Sequence, residues 1–464
     1  MTPTEALPKV LDHIDADLDA SLARLFDFLK VQSISTDPAY ADQCKRAADF
    51  VAKDLATLGL TSEIRPTGGH PLVIAKPEKQ NGGPRVLFYG HYDVQPVDPL
   101  ELWKTPPFDP RIEDLGNGRK IIVARGACDD KGQLMTFVEA CRAWKAVTGT
   151  LPLDVTVMIE GEEECGSKSL FPFVEKNADE FKLDLALVCD TGMWSPTTPS
   201  ITTSLRGLVY EDVIVTAADR DLHSGLFGGA AQNPIRVLTK ALAAIHDENG
   251  RITIPDFYDG VPELPPDIKA DLKALDLTPA EFLGQVGLKI PAGEQDRMLI
   301  EMISTRPTCD VNGIIGGYTG EGAKTVIASQ ASAKVSFRLV GNQDPVKVRD
   351  AFRDFIRARI PADCKVEFEN HGLAPALQLP FDSPAILKTR QALQDEWGAK
   401  AVTVGAGGSI PIVGDFKRVL GMDTIMVGFA LDDDRVHSPN EKYDLASFHK
   451  GTRSWARILA ALAA

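Results

Sequence analysis

The chain has 464 residues, enough for two or three domains with hydrophobic cores of their own. Apolar residues make up 44% of the sequence and charged residues 25%, with 38 glycines and 31 prolines. This composition is typical of globular proteins and excludes collagen-like, low-complexity and wholly disordered chains. The 50 lysines and arginines against 65 aspartates and glutamates give a formal net charge of −15, which argues against a nucleic acid partner and against binding to an anionic membrane surface.

The cysteines and the apolar runs indicate the cellular compartment. Seven cysteines are spread along the chain without a CxxC pair, and an odd number of this kind favours a reducing environment over a disulfide framework. The N-terminal segment is acidic where a signal peptide would be basic. No run reaches the roughly 18 apolar residues of a membrane-spanning helix. We therefore expect a cytoplasmic protein without a membrane partner.

The first 200 or so residues alternate between helical and strand-like patterns. Apolar spacing predicts helices at 18–29, 40–58 and 134–144. Strand-like apolar runs occur at 85–90, 151–159 and 184–190. Strands that alternate with helices predict a mostly parallel sheet covered by helices, with functional residues at the carboxyl ends of the strands.

The pattern changes near residue 206 and changes back near residue 380. Between these points, alternating strands and two helical stretches flank a Pro- and acid-rich segment at about 250–300, which together are typical of an α+β unit. We therefore expect an α/β protein of two domains. The first is formed by residues 1–205 and 380–464, and the second is inserted at 206–379.

His91 and Asp93 follow the strand at 85–90. In extended backbone, two side chains at this spacing project to the same side. The aspartate can accept the proton of one ring nitrogen and orient the imidazole as a metal ligand. A buried His–Asp hydrogen bond without a metal would explain this pair equally well.

The run EGEEECGS at 160–167 carries a stronger signal, because three consecutive glutamates repel one another after an apolar strand. A hydrated loop would tolerate them, whereas a cation would remove the repulsion and leave one glutamate free to act as a general base on water. Asp129, Asp130 and Asp190 add carboxylates at equivalent strand ends. Nitrogen and oxygen ligands of this kind suit Zn, Mn or Co, and an aspartate that bridges two metals would explain why so many acidic groups gather.

Nearly the whole chain carries motifs in a characteristic order: GHYDVQP, WKTPPFDP, RGACDDKG, EGEEECGS, VCDTG, LRG, DLHSG, GGSIP and HSPNE. Together they resemble the di-metal family of aminoacylases, acetylornithine deacetylases and succinyl-diaminopimelate desuccinylases, and within it the carnosinase-type cytosolic dipeptidases. The resemblance implies an α/β metallohydrolase domain with an inserted lid and dimerisation domain. It also implies two divalent ions per chain, Zn ahead of Mn or Co, and a homodimer.

The resemblance implies roles for the metal-site residues. His91 and Asp190 would bind one ion, Glu164 and His437 the other, and Asp129 would bridge both.

The same resemblance implies the residues around the metals. Asp93 would orient His91, and Glu163 would be the general base. Aligning EGxEExGS leaves Glu162 at a variable position, and a slip of one residue would exchange the base and the ligand. His223 would reach across a dimer interface to stabilise the oxyanion in the other subunit, although a polar histidine in a turn is the simpler interpretation of that residue alone.

Arg338 and the backbone amides around Gly408, Ser409 and Ile410 match family positions that hold the terminal carboxylate of the substrate. A guanidinium group and a glycine-rich turn are both suited to bind a carboxylate.

The function implied by the resemblance is metal-dependent hydrolysis of the amide bond of dipeptides or short peptides with a free terminal carboxylate. One alternative is a deacylase of N-acyl amino acids that uses the same site. Another is a binding protein that keeps the fold without activity, which the filled ligand and base positions disfavour.

Overall fold

The computed structural model describes residues 1–80, 82–116, 118–406 and 410–464. The chain divides into two compact units. Unit 1 comprises Met1–Thr203, Leu379–Thr403 and Pro411–Ala464, and unit 2 comprises Ser204–Gln378 and Val404–Ile410. Unit 1 is therefore built from stretches of chain that are far apart in sequence.

The α-helices of the described residues are α1 (Pro3–Ala16), α2 (Leu18–Leu29), α3 (Ala41–Ala56), α4 (Lys131–Thr148), α5 (Leu170–Lys176), α6 (Ala178–Phe181), α7 (Ser224–Phe227), α8 (Pro234–Ala243), α9 (Pro266–Ala274), α10 (Pro279–Phe282), α11 (Leu299–Ser304), α12 (Pro345–Arg357), α13 (Pro384–Trp397), α14 (Pro411–Asp415) and α15 (Leu445–Ala463). Short 3₁₀ helices occur at Pro38–Tyr40, Leu100–Leu102, Glu163–Cys165 and Leu283–Val286, and a π-helical turn at Phe416–Leu420. Within the described ranges, none of the helices combines the length and the apolarity that crossing a bilayer requires.

The strands are β1 (Leu60–Arg65), β2 (Leu72–Pro77), β3 (Arg85–His91), β4 (Arg111–Asp114), β5 (Lys120–Val123), β6 (Asp154–Glu160), β7 (Leu185–Val188), β8 (Ser200–Leu205), β9 (Gly207–Thr216), β10 (Leu222–His223), β11 (Thr308–Gly316), β12 (Val326–Ile327), β13 (Gln330–Leu339), β14 (Lys365–Ala374), β15 (Leu377–Gln378), β16 (Val402–Ala406), β17 (Thr424–Met426) and β18 (Lys442–Asp444). The three strand-like runs predicted in the first part of the chain correspond to β3, β6 and β7.

The main sheet of unit 1 runs in the order β1-β2-β6-β3-β7-β17-β8. Its centre is parallel, because β3 pairs in parallel with β6 and β7, and β7 pairs in parallel with β17. Antiparallel pairs between β1 and β2 and between β2 and β6 extend one side. The predicted mostly parallel sheet of an α/β fold is confirmed.

Helices cover the central strands, so nearly every residue of β3 and β6 is buried. Phe88 of β3 stacks on Phe137 of α4 with ring centroids 3.6 Å apart, and Trp455 of α15 meets Phe137 edge-on at 5.4 Å. This aromatic cluster lies within the hydrophobic core of unit 1. It fixes the strand that ends at His91 against the helix that begins just after Asp129 and Asp130.

Unit 2 contains an antiparallel four-stranded sheet in the order β11-β13-β9-β14. Residues of β9 and β13 alternate between buried and partly exposed, as expected for strands with one face against a core. Helices α8 and α12 pack on the sheet, with Phe352 of α12 fully buried. Strands β11 and β14 form the two edges.

Candidate metal centre

Three neighbouring parallel strands of unit 1 end at the same edge of the sheet. Strand β3 ends at His91, β6 at Glu160 and β7 at Val188. The carboxyl ends of such strands are the usual place for a site in an open α/β sheet. The residues that follow them therefore come together there, as the sequence predicted for Asp93, Glu163, Glu164 and Asp190.

Asp129 lies between two histidines. Its Oδ1 is 3.2 Å from Nε2 of His91, and its Oδ2 is 2.9 Å from Nε2 of His437. Each oxygen of one carboxylate thus faces a different imidazole, the arrangement that a carboxylate bridging two cations requires. His91 is fully buried, whereas the side chain of His437 is 55% exposed. The cluster around Asp129 is therefore shielded from solvent at His91 and open to solvent at His437.

Two sets of possible ligand atoms share Asp129. The first combines it with His91 and Asp190, and the second with Glu164 and His437; within each set the ligand atoms lie within 4.8 Å of one another. Glu164 Oε2 is 3.2 Å from Nε2 of His437, and its side chain is 2% exposed. Nitrogen and oxygen donors without thiolates fit borderline divalent ions such as Zn²⁺ or Mn²⁺.

The electrostatics of these side chains also favour a bound cation. Burial, reinforced by the charge of Asp129, raises the pKa of Asp190 to about 7. Hydrogen bonds to Asp129 and Glu164 raise the pKa of His437 to about 10. Carboxylates this close and this buried repel one another, and a bound cation is the direct way to relieve that repulsion.

Asp93 contacts His91 at Nδ1, the ring nitrogen that does not face Asp129. The Nδ1 atom of His91 lies 3.1 Å from the carbonyl oxygen of Asp93 and 3.3 Å from its Oδ1, so one N–H can be shared between them. The other carboxylate oxygen of Asp93 accepts the backbone N–H of Glu164 at 3.0 Å. One buried aspartate therefore orients a ligand of the first set and the backbone of a ligand of the second.

The three consecutive glutamates differ in their hydrogen-bond partners. Glu162 accepts the backbone N–H of Ser169 through Oε2 at 3.2 Å, next to the start of α5. Glu164 accepts a hydrogen bond from Gln95 at 2.7 Å on the same oxygen that faces His437. Among the described residues, none donates a hydrogen bond to the carboxyl group of Glu163. Burial raises the pKa of Glu163 to about 8, with Asp190 and Glu164 adding to the rise.

The supporting roles of two carboxylates were not predicted from the sequence. Asp130 accepts the backbone N–H of His91 at 3.1 Å and is fully buried. Glu441 is also fully buried and accepts the backbone N–H of Asp129 at 3.0 Å. Both lie within the motifs RGACDDKG and HSPNE, but their partners are distant in sequence or are backbone groups.

The remaining predicted residues belong to unit 2. His223 is exposed and its Nδ1 accepts the backbone N–H of Gly225 at 3.0 Å. Arg338 is half-buried on β13, and Ile410 is buried. Gly408 and Ser409 lie outside the described residues.

Arg206, in the LRG motif, lies close enough to Arg338 for their charges to repel. Burial, reinforced by Arg338, lowers the pKa of Arg206 to about 10. Its Nη2 donates to the carbonyl oxygens of Met302 and Arg306 at 2.7 and 3.2 Å. Two neighbouring guanidinium groups create a local preference for an anion.

A third set of possible ligands, Asp212, Glu369 and His371, lies on the sheet of unit 2. Lys334 already ion-pairs with Asp212 at 2.9 Å. An ammonium group in that position neutralises the charge that would attract a metal ion.

Comparison with known proteins decides the family. The model of peptidase family M20/M25/M40 matches residues 87–461, most of the chain. The chain belongs to this family. The predicted enzyme class, a peptidase, is confirmed, and so is the family that the motifs indicated. Together with the two ligand sets, membership indicates that the protein binds divalent metal.

Several known proteins align with the chain over nearly its full length. The Cys-Gly metallodipeptidase dug1 of Schizosaccharomyces pombe is 29% identical, with 99% of this chain and 98% of the relative covered. The Beta-Ala-His dipeptidase of Homo sapiens is 28% identical over 99% of this chain and 94% of its own. The solved structure of the M20 family metallo-carboxypeptidase Sso-CP2 from Sulfolobus solfataricus has a TM-score of 0.79 at 31% identity, covering 96% of this chain and 99% of that one.

The order of the glutamates gives a testable prediction about metal content. We expect Glu164→Gln to lower the bound metal, because it removes charge from an atom that faces His437. We expect Glu162→Gln and Glu163→Gln to retain it, because Glu162 is turned towards Ser169 and Glu163 is the predicted base. The amount of metal bound per chain, measured by inductively coupled plasma mass spectrometry after gel filtration, distinguishes the three variants. Loss of metal in Glu162→Gln or Glu163→Gln would contradict this order.

Proposed function

We propose that the protein is a metal-dependent dipeptidase that hydrolyses the amide bond of dipeptides or short peptides with a free terminal carboxylate. The observation that carries the proposal is Asp129, with one oxygen on His91 and the other on His437. Full-length similarity to proteins named dipeptidases supports the substrate class. A deacylase would use the same site, but the dipeptidase names of these relatives favour the peptide substrate.

Two divalent ions would occupy the centre, with Zn²⁺ ahead of Mn²⁺ or Co²⁺. His91 and Asp190 would hold one ion, Glu164 and His437 the other, and Asp129 would hold both. When bound, such ions lower the pKa of water and polarise the carbonyl group of the substrate.

Glu163 is the proposed general base, which removes a proton from the attacking water. The water oxygen bonds to the carbonyl carbon, the C–N bond breaks, and Glu163 returns the proton to the leaving amine. A pKa raised to about 8 by burial supports this role, since a neighbouring cation would lower it towards the working pH. Its carboxyl group accepts no hydrogen bond from the described residues, which leaves it free to bind water.

The substrate carboxylate would bind to Arg338, assisted by the backbone amides of Gly408, Ser409 and Ile410. The nearby charge of Arg206 supports an anion site at Arg338. We also infer a reducing, cytoplasmic compartment, supported by seven unpaired cysteines.

We further propose a homodimer in which His223 stabilises the oxyanion in the site of the partner subunit. The edge strand β11 supports association of unit 2 with a second copy, because Val311, Ile314 and Ile315 are 44%, 51% and 64% exposed. Exposed apolar side chains along a strand edge favour pairing with another chain.

A substrate panel tests the proposed reaction. We expect metal-free enzyme reconstituted with Zn²⁺, Mn²⁺ or Co²⁺ to release amino acids from free dipeptides, measured by ninhydrin, and Glu163→Gln to be slower by about 10²–10⁴-fold. Matched N-acetyl amino acids test the deacylase, and N-blocked dipeptides test a carboxypeptidase. Cleavage confined to either blocked class would contradict a dipeptidase.

Mixed dimers test the position of His223. We expect His223→Ala by itself to lower kcat by about 10²–10³-fold, as loss of an oxyanion donor does. Glu163→Gln by itself is slower by about 10²–10⁴-fold. Co-expression of the two variants would restore activity to about a quarter of the wild-type value, because half of the dimers are mixed and each carries one complete site. Absence of recovery in confirmed mixed dimers would contradict action across an interface.

A further inference from the structure

Glu441 is a fully buried carboxylate four residues after His437. Its two oxygens accept four hydrogen bonds from the segment that leads to Asp129. Oε1 accepts the backbone N–H groups of Cys128 at 2.9 Å and Asp129 at 3.0 Å. Oε2 accepts the backbone N–H of Gly126 at 3.0 Å and Nη1 of Arg125 at 2.8 Å. Both oxygens are therefore fully engaged.

Arg125 compensates the buried charge of Glu441. Its guanidinium group is 1% exposed, lies over the ring of Trp103 at 5.5 Å, and also donates to the carbonyl oxygen of Pro96 at 2.9 Å. A buried carboxylate is tolerated only when it is paired and hydrogen-bonded. Both conditions are met, so the carboxylate can serve as a fixed anchor for backbone groups.

The segment that carries His437 is held at several further points. Asn440 donates to the carbonyl oxygen of Leu102 and accepts the backbone N–H of Lys104, both at 2.8 Å. At the other end, Asp434 accepts the backbone N–H of Leu431 at 2.7 Å and lies 3.4 Å from Sγ of Cys128. The segment 431–441 is thus fixed next to the segment 125–129, with Glu441 as its most extensive connection.

We infer that Glu441 is a positioning residue that sets the carboxylate of Asp129 relative to the imidazole of His437. It acts through the backbone, since it contacts the N–H of Asp129 and shares a short segment with His437. This inference rests on the proposed two-metal centre. A bridging carboxylate must reach both ions at once, so a small displacement of Asp129 affects both ligand sets.

The test is Mn²⁺ binding to the metal-free full chain of Glu441→Gln. Glutamine keeps the size of the side chain but turns an NH₂ group towards N–H donors that need an acceptor. We expect Mn²⁺ affinity, measured by calorimetry, to fall about 10- to 100-fold, as loss of a supporting partner does at metal sites. We also expect the electron paramagnetic resonance signal of a coupled Mn²⁺ pair to disappear at Mn²⁺ concentrations that saturate the wild type.

Glu396→Gln is the matched control. The Glu396 side chain is 4% exposed and accepts hydrogen bonds from Nε of Arg453 at 2.7 Å and Nε of Arg457 at 2.8 Å. It lies on α13, which carries none of the proposed ligands. We expect a lower melting temperature with wild-type Mn²⁺ affinity and an unchanged pair signal. Equal loss of Mn²⁺ binding in both variants would overturn the inference, since general destabilisation would then explain it.

Two further outcomes separate this inference from the proposed function. If the wild type binds no Mn²⁺ pair, both the two-metal centre and the inference fail. If the wild type binds the pair and Glu441→Gln binds it equally well, only the inference is overturned. Should Glu441→Gln fail to fold, Glu441→Asp replaces it: the charge stays but the oxygens retract by one methylene group, and wild-type Mn²⁺ affinity in that variant would overturn the inference.

Discussion

The charge gathered around Asp129 is the constraint on which the site depends. One carboxylate contacts two imidazoles, and two further carboxylates, Asp190 and Glu164, lie beside them in largely buried positions. Without a cation, burial together with this concentration of negative charge raises the pKa of Asp190 and Glu163 well above the ordinary range of a carboxyl group. A site of this kind is costly to build unless divalent ions occupy it, and the rest of unit 1 serves to keep its members in place.

The fold provides this fixation at two levels. Parallel pairing of β3, β6 and β7 brings the strand ends to one edge of the sheet, and the aromatic cluster of Phe88, Phe137 and Trp455 fixes that sheet to its covering helices. Closer to the site, three buried carboxylates engage backbone N–H groups next to or within the ligand segments: Asp93, Asp130 and Glu441. Such contacts hold the ligands through the main chain, so the imidazole and carboxylate groups remain free for metal.

Much of this could be predicted from the sequence, because it depends on local patterns. The apolar runs of β3, β6 and β7 are near-continuous since both faces of the sheet are covered, and the charged residues follow them directly. The helix α1 was not predicted, although Thr2 and Glu5 form a capping box at its start, a signal that the sequence does contain. The helices α9 to α11 lie in a segment whose weak periodicity hid them.

The supporting residues could not be found in the same way. Glu441 contacts the backbone of residues more than 300 positions earlier in the chain, and no local pattern encodes such a partner. Glu162 and Glu164 accept hydrogen bonds from different partners, Ser169 and Gln95, which only the folded chain brings near them. The resemblance to a family supplied the order of the glutamates, because three identical residues in a row carry no distinguishing signal of their own.

Anomalous diffraction from crystals grown with Zn²⁺, with data on both sides of the zinc absorption edge, tests the two-metal centre most directly. We expect two peaks about 3.5–4 Å apart, one beside His91 and Asp190 and the other beside Glu164 and His437, with Asp129 between them. A single peak, or peaks away from Asp129, would contradict the two-metal centre.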